Sequence, residues 1–176
     1  MPSRSNLILT GFMGSGKSAI GRIIAHRLRF QFLDTDTLVS ERAGMDIPEI
    51  FARHGEAHFR ELETRAIESL AGLDRYVIAT GGGSALGEGN RALLRALGFV
   101  VLLTAREDIL FDRVSRTTKR PLLHTEDPRA TVAALLAERQ PAYDAAAHWT
   151  LDTSNLDREA ASDAVVAAAR EAFGWR

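Results

Sequence analysis

The residues Gly11 to Ser18 read GFMGSGKS and fit the spacing Gly-x-x-x-x-Gly-Lys-Ser. That spacing suits one kind of chemistry. Bare glycine backbone comes close to a polyphosphate, inward-pointing N–H groups cradle it, Lys17 reaches the β and γ oxygens, and the Ser18 hydroxyl serves as a ligand for Mg²⁺. The apolar run LILT precedes the loop and AIGRIIAHRL, with helical spacing, follows it. The loop is therefore a strand-to-helix turn whose positive dipole end faces the anion, and it implies a nucleoside triphosphate. No Asn-Lys-x-Asp element of the kind GTPases use to read a base is present. The later strand YVIAT runs into GGG rather than ending in an acid for the metal, as that of a motor ATPase would. The acid must come from elsewhere.

The stretch FQFLDTDTL supplies it. Asp34 and Asp36 stand two residues apart at the end of a second strand, where parallel sheets direct their ligands, and at that spacing both carboxylates face one crevice. One can hold Mg²⁺ through water while the other accepts a hydrogen bond from a substrate hydroxyl and draws its proton. The plainer alternative makes Asp36 the N-cap of the next helix and Asp34 a solvated turn residue. In HFRELETR, Arg60 and Glu63 share a helical face. They form either a surface ion pair or an arginine oriented by a carboxylate for a bidentate grip on a substrate carboxylate. Gly81, Gly82 and Gly83 follow a buried strand, as a flexible turn or as bare backbone on which a small ligand lies.

These groups need a scaffold. The chain has 176 residues, 45% hydrophobic and 26% charged, which suits one domain around one sizeable core. A formal net charge of -1 gives no global basic surface for nucleic acid or anionic membrane, so small-molecule partners are expected. The absence of cysteine excludes disulfides and thiolate metal sites and fits a reducing compartment. The start, MPSRSNLILTG, lacks the apolar stretch of a signal peptide, and LGFVVLLTA is too short to cross a bilayer, so a cytoplasmic location is expected.

β-rich runs at 6–10, 30–33, 76–80, 99–103 and 148–151 alternate with helical patterns and predict a parallel sheet with helices on both faces. Because the runs are apolar at nearly every position, burial on both sides is expected. Two segments interrupt the alternation. Residues 36–70 suit a small helical segment with a helix start at Asp46 and a break at Gly55, and the polar stretch from Arg116 to Arg129 suits a mobile loop above the sheet. The alanine-rich DREAASDAVVAAAREAF reads as a helix covering one sheet face. In HGEAH the glutamate is misplaced for a metalloprotease and Gly55 interrupts the helix, while His26, His124 and His148 have no ligand spacing. Trp149 and Trp175 are read as packing residues.

In this order and with these separations, GFMGSGKS, DTD, FRELE, ATGGG, KRPLL and ERQPAY resemble the shikimate kinase family, from about Asn6 to Asp152. The resemblance implies an α/β fold with a five-stranded parallel sheet of order 2-3-1-4-5, a substrate-binding segment at about 36–70 and a lid at about 115–129. It implies a cytoplasmic monomer that phosphorylates the 3-hydroxyl of shikimate with ATP and Mg²⁺, on the route to chorismate and the aromatic amino acids. By the same resemblance Gly14, Ser15, Gly16, Lys17, Ser18 and Ala19 bind ATP, Arg113 stacks on adenine and Arg120 reaches the phosphates from the lid. Asp36 binds ring hydroxyls and aligns the attacking one, Arg60 and Arg139 grip the carboxylate, Glu63 orients Arg60, and Gly82 contacts the ring through its backbone. Ser18 ligates magnesium directly and Asp34 through water. The loop DTSNLD lacks the proline often seen there in the family. The nearest alternatives are another small-molecule P-loop kinase, acting on gluconate or a nucleoside monophosphate, and a nucleotide-dependent switch that binds a protein.

Overall fold

The computed structural model describes residues 5–116 and 125–175. Five parallel strands form one sheet: β1 (Leu7–Thr10), β2 (Gln31–Asp34), β3 (Tyr76–Ala79), β4 (Phe99–Thr104) and β5 (Trp149–Asp152), in the order β2-β3-β1-β4-β5. That is the order the family resemblance implies. Each strand lies within a residue or so of its predicted run because the β-branched and aromatic residues cluster there and helical periodicity resumes on either side. The register pairs Leu9 with Ala79, Thr10 with Leu102, Asp34 with Ala79 and Thr104 with Asp152, so the carboxyl ends of the strands share one edge of the sheet.

Seven helices are described: α1 (Lys17–Leu28), α2 (Thr35–Ala43), α3 (Ile47–Glu68), α4 (Glu88–Leu97), α5 (Glu107–Ser115), α6 (Pro128–Ala146) and α7 (Arg158–Phe173). One face of the sheet packs Ile8, Ile78, Val100 and Leu102 against Leu94 of α4, Val114 of α5, and Val132 and Tyr143 of α6. The other packs Leu7, Leu9, Val77, Val101 and Leu103 against Ile20 and Ile24 of α1 and Val165 and Ala169 of α7. The C-terminal helix thus covers one face, as its pattern predicts. Central β1 is buried at every position, but β2 and β5 are only partly covered, contrary to the expectation of full burial. The reason is position in the sheet, since both are edge strands with a neighbour on one side only.

The 36–70 segment folds as α2 and α3 around a small core of Val39, Ile50, Phe59 and Ala66. Asp46 caps α3 by accepting from Glu49 N–H at 2.9 Å, and Gly55 breaks the helix with φ 79°, both as the sequence indicates. Trp175 stacks on Phe173, with centroids 4.5 Å apart, and meets Phe30 edge-on, which makes it a packing residue. Residues 117–124, which carry Arg120 and His124, lie outside the described residues. What flanks them is the end of α5 and the start of α6.

Candidate active site

The phosphate loop leaves β1 at Gly11 and enters α1 at Lys17. Gly16 caps the helix in the left-handed region, at φ 92°, and Gly14 sits at φ 80° with its would-be Cβ only 2.8 Å from Val114, so neither position suits a side chain. Lys17 is buried, and its ammonium donates to Gly11 O at 2.8 Å and Phe12 O at 2.9 Å, which holds the charge over the loop. Arg113 of α5 donates to Gly14 O at 3.3 Å and so closes on the loop from the opposite side of the sheet edge.

The two aspartates divide differently from the plainer alternative. Asp34, not Asp36, is the N-cap of α2, with Oδ1 accepting from Asp36 N–H at 3.0 Å. Its other oxygen accepts from the Ser18 hydroxyl at 2.6 Å. With the hydroxyl proton committed to Asp34, the lone pairs of Ser18 Oγ are left for a hard cation. An all-oxygen donor set with a single carboxylate suits Mg²⁺, which keeps much of its water. Asp36 is released from capping, and its carboxylate lies against Gly81, where any added Cβ would strike Oδ1.

A second cluster forms beside it. Glu63 is 1% exposed and accepts from Arg60 Nη1 at 2.9 Å and from the Ser84 hydroxyl at 2.7 Å; Glu56 binds Arg60 Nη2 at 3.0 Å. Burial disfavours the Arg60 charge, but Glu63 and Glu56 together outweigh it and hold the guanidinium above its ordinary value. The pair is therefore an oriented arginine and not a loose surface bridge. Its guanidinium lies against Gly83. Arg139 of α6, 5% exposed, brings Nη1 to 4.0 Å from where a Gly82 Cβ would sit, and its Nε has no hydrogen-bond partner among the described residues. A buried donor left open costs about 1–3 kcal/mol unless a ligand meets it.

The glycine turn is held from three directions: Gly81 N–H donates to Thr35 Oγ1 at 2.9 Å, Tyr143 donates to Gly82 O at 2.5 Å, and Ser84 donates to Glu63. Sequence reasoning gave Thr35, Ser84 and Tyr143 no role. The available signal was a polar side chain inside an otherwise matched motif, DTD, ATGGGS or ERQPAY.

A cavity of about 490 Å³ joins the two halves. The loop from Gly14 through Ala19 lines one wall with Arg113, and Asp34, Asp36 and Gly82 line the other. Arg116, which the sequence analysis gave no binding role, adds a second cation to the rim, and Thr153 to Arg158 close the end beyond β5. Arg60 and Arg139 are not among its lining residues; they meet the glycine turn at Gly83 and Gly82, of which Gly82 lines the cavity. Of the residues singled out from sequence, Gly14 to Ala19, Asp34, Asp36, Gly82 and Arg113 line this cavity, Arg60, Glu63 and Arg139 stand at the glycine turn beside it, and Arg120 lies outside the described residues. His54 and His58, with ring centroids 5.0 Å apart, stand on α3 away from this cavity.

The sequence model of the shikimate kinase family matches residues 13–170. The shikimate kinase of Geobacter metallireducens is 49% identical over 154 residues, covering 88% of this chain and 86% of its own length. That of Caldanaerobacter subterraneus is 44% identical over 163 residues, covering 93% and 95%. The structure of the Acinetobacter baumannii shikimate kinase in complex with shikimate superposes with a TM-score of 0.88 at 35% identity, over 98% of this chain and 95% of that one. A phosphate loop facing an arginine-flanked glycine turn, on a sheet of this order and with relatives matched nearly end to end, leaves one assignment: the chain belongs to the shikimate kinase family.

Proposed function

We propose that the chain transfers the γ-phosphoryl group of ATP to the 3-hydroxyl of shikimate, giving ADP and shikimate 3-phosphate, and that it does so as a cytoplasmic monomer. The observation that carries this reading is the cavity with a polyphosphate cradle on one wall and Asp36 and Gly82 on the other, where the glycine turn is contacted from behind by the buried or oriented arginines Arg139 and Arg60. An acceptor with a carboxylate and a nearby hydroxyl fits the second wall. Arg60 and Arg139 take the carboxylate, and Gly82 offers a flat surface to the ring.

In the transfer the acceptor oxygen bonds to phosphorus while the bond from phosphorus to the β–γ bridging oxygen breaks, and the hydroxyl proton passes to Asp36. Little covalent chemistry falls to the protein, so positioning and charge neutralisation supply most of the rate enhancement. Lys17, fixed over the loop by two carbonyls, presents its charge to the β and γ oxygens. Ser18 and Asp34 are the residues that would hold Mg²⁺, Ser18 directly and Asp34 through water. A bound Mg²⁺ would supply positive charge to those same oxygens. Arg113 covers the nucleotide side, and Arg120 is assigned to the phosphates on sequence alone.

The test is a coupled assay of ADP release with shikimate, gluconate and nucleoside monophosphates as acceptors. Turnover confined to shikimate, with Mg²⁺ required, is the expected result. Comparable rates with gluconate, or ATP turnover that needs no small acceptor, would overturn the reading.

A further inference from the structure

Helix α6 carries two large polar side chains four residues apart, Arg139 and Tyr143, on the face that packs against the sheet. At that spacing both point to the same side of the helix. Tyr143 is 1% exposed, and its ring fills the core cluster of Ile8, Phe12 and Leu102. Packing alone would be met by phenylalanine. The hydroxyl nevertheless reaches the far edge of that core and donates to Gly82 O at 2.5 Å, across 61 residues of sequence. Arg139 reaches the same glycine, and its guanidinium lies over the Phe12 ring at 5.9 Å. On the next residue of the turn, Gly83, lies the guanidinium of Arg60.

The other two ties of the glycine turn, from Thr35 and from Ser84 to Glu63, lead to α2 and to the helix that carries Arg60. Among the three ties, Tyr143 is the one that links the turn to the helix carrying Arg139. We propose that Tyr143 is a positioning residue for the reaction: its hydroxyl fixes the glycine turn to α6 and thereby sets the separation of the Arg60 and Arg139 guanidiniums across the acceptor pocket. Burial pushes the Tyr143 phenol above its ordinary value, against the pull of Arg139 and Arg60, so the hydroxyl keeps its proton and stays a donor at working pH. The inference rests on the reading of Arg60 and Arg139 as the carboxylate grip.

The experiment is a double-mutant cycle on the full chain with Tyr143→Phe, Arg139→Lys and the pair, reading KM for shikimate, KM for ATP, kcat and the melting temperature. Tyr143→Phe deletes one oxygen and keeps the packed ring, so KM for shikimate is expected to rise about threefold to tenfold while KM for ATP stays within about twofold. In the Arg139→Lys background the same deletion should add little, because both variants disturb one grip. Full additivity, or an equal rise for both substrates, overturns the inference, as does a lowered melting temperature with unchanged KM, the signature of a purely structural bond. If Arg139→Lys raises KM for shikimate and Tyr143→Phe does not, Tyr143 has no positioning role and the carboxylate grip stands. If neither variant moves it, the grip itself is wrong and the inference falls with it.

Discussion

Gly83→Ala is the sharpest probe of the acceptor side. Gly83 does not adopt a positive φ, so alanine fits its backbone, and the conflict is one of space alone. An added Cβ would lie 2.5 Å from Arg60 Cζ and closer still to both terminal nitrogens. Ordinary contact begins near 3.4 Å, so the guanidinium must retreat by about an ångström. Its bonds to Glu63 and Glu56, now 2.9 and 3.0 Å, would then pass beyond hydrogen-bond reach. Arg60 is the far end of a flexible side chain, so the fold can yield there. Glu63 keeps its Ser84 donor, and the cost to stability should be about 1–2 kcal/mol, partly offset by the reduced freedom of the unfolded chain. Binding should suffer more. A charge-assisted bond to a substrate carboxylate is worth about 1.5–3 kcal/mol, so KM for shikimate should rise about tenfold to 150-fold. Steady-state kinetics with each substrate varied in turn, together with a melting curve, measures all of this. An unchanged KM for shikimate would refute the reasoning, and so would a matching rise in KM for ATP.

Gly81→Ala should behave differently, because its Cβ strikes Asp36 Oδ1 and approaches Glu63 Oε1 at 2.9 Å; kcat should fall by at least about tenfold, and a loss confined to KM would contradict the role given to Asp36. Asp36→Asn should lower kcat and weaken shikimate binding, whereas Asp34→Asn should chiefly raise the Mg²⁺ concentration needed for half-maximal rate. Titrating both components against both variants separates them, and identical profiles would show the division to be wrong. For pH, partial burial and the nearby Arg95 hold His148 below its ordinary value, and its Nδ1 accepts from Val100 N–H at 3.0 Å. The unfolded chain takes up the proton first, so this contribution to stability is complete above about 6.5 and is lost as pH falls below it. Melting temperatures across that range should drop less steeply in His148→Asn than in the parent, and parallel curves would reject the assignment.

What the sequence alone determined was whatever depends on neighbours in the chain. The phosphate loop is such a feature, because its glycines, Lys17 and Ser18 act within one turn and their spacing is the geometry. The strands, the cap at Asp46 and the helix break at Gly55 are others, since periodicity, capping and helix breaking are properties of a few consecutive residues. The sheet order came from the family resemblance, and the exposure of β2 and β5 could not be read from their apolar runs because it depends on which strand has no outer neighbour.

Only the tertiary structure decided why the glycine turn is bare. From sequence, the three glycines suit a ligand lying on the backbone. In the fold, the protein's own Asp36 and Arg60 side chains occupy the space that Cβ atoms would need at Gly81 and Gly83, while at Gly82 the nearest atom is Met13 N at 3.5 Å. Tertiary structure likewise decided that Asp34 is the cap and that Asp36 lies against Gly81, and that Thr35, Ser84 and Tyr143 hold the turn. Those bonds span 46, 21 and 61 residues. A lone polar side chain carries no mark of its partner in the sequence; the partner is set when the sheet brings the ends of β2 and β3 and the helices α3 and α6 to a single edge, where each buried hydroxyl must find an acceptor or lose its hydration unreplaced.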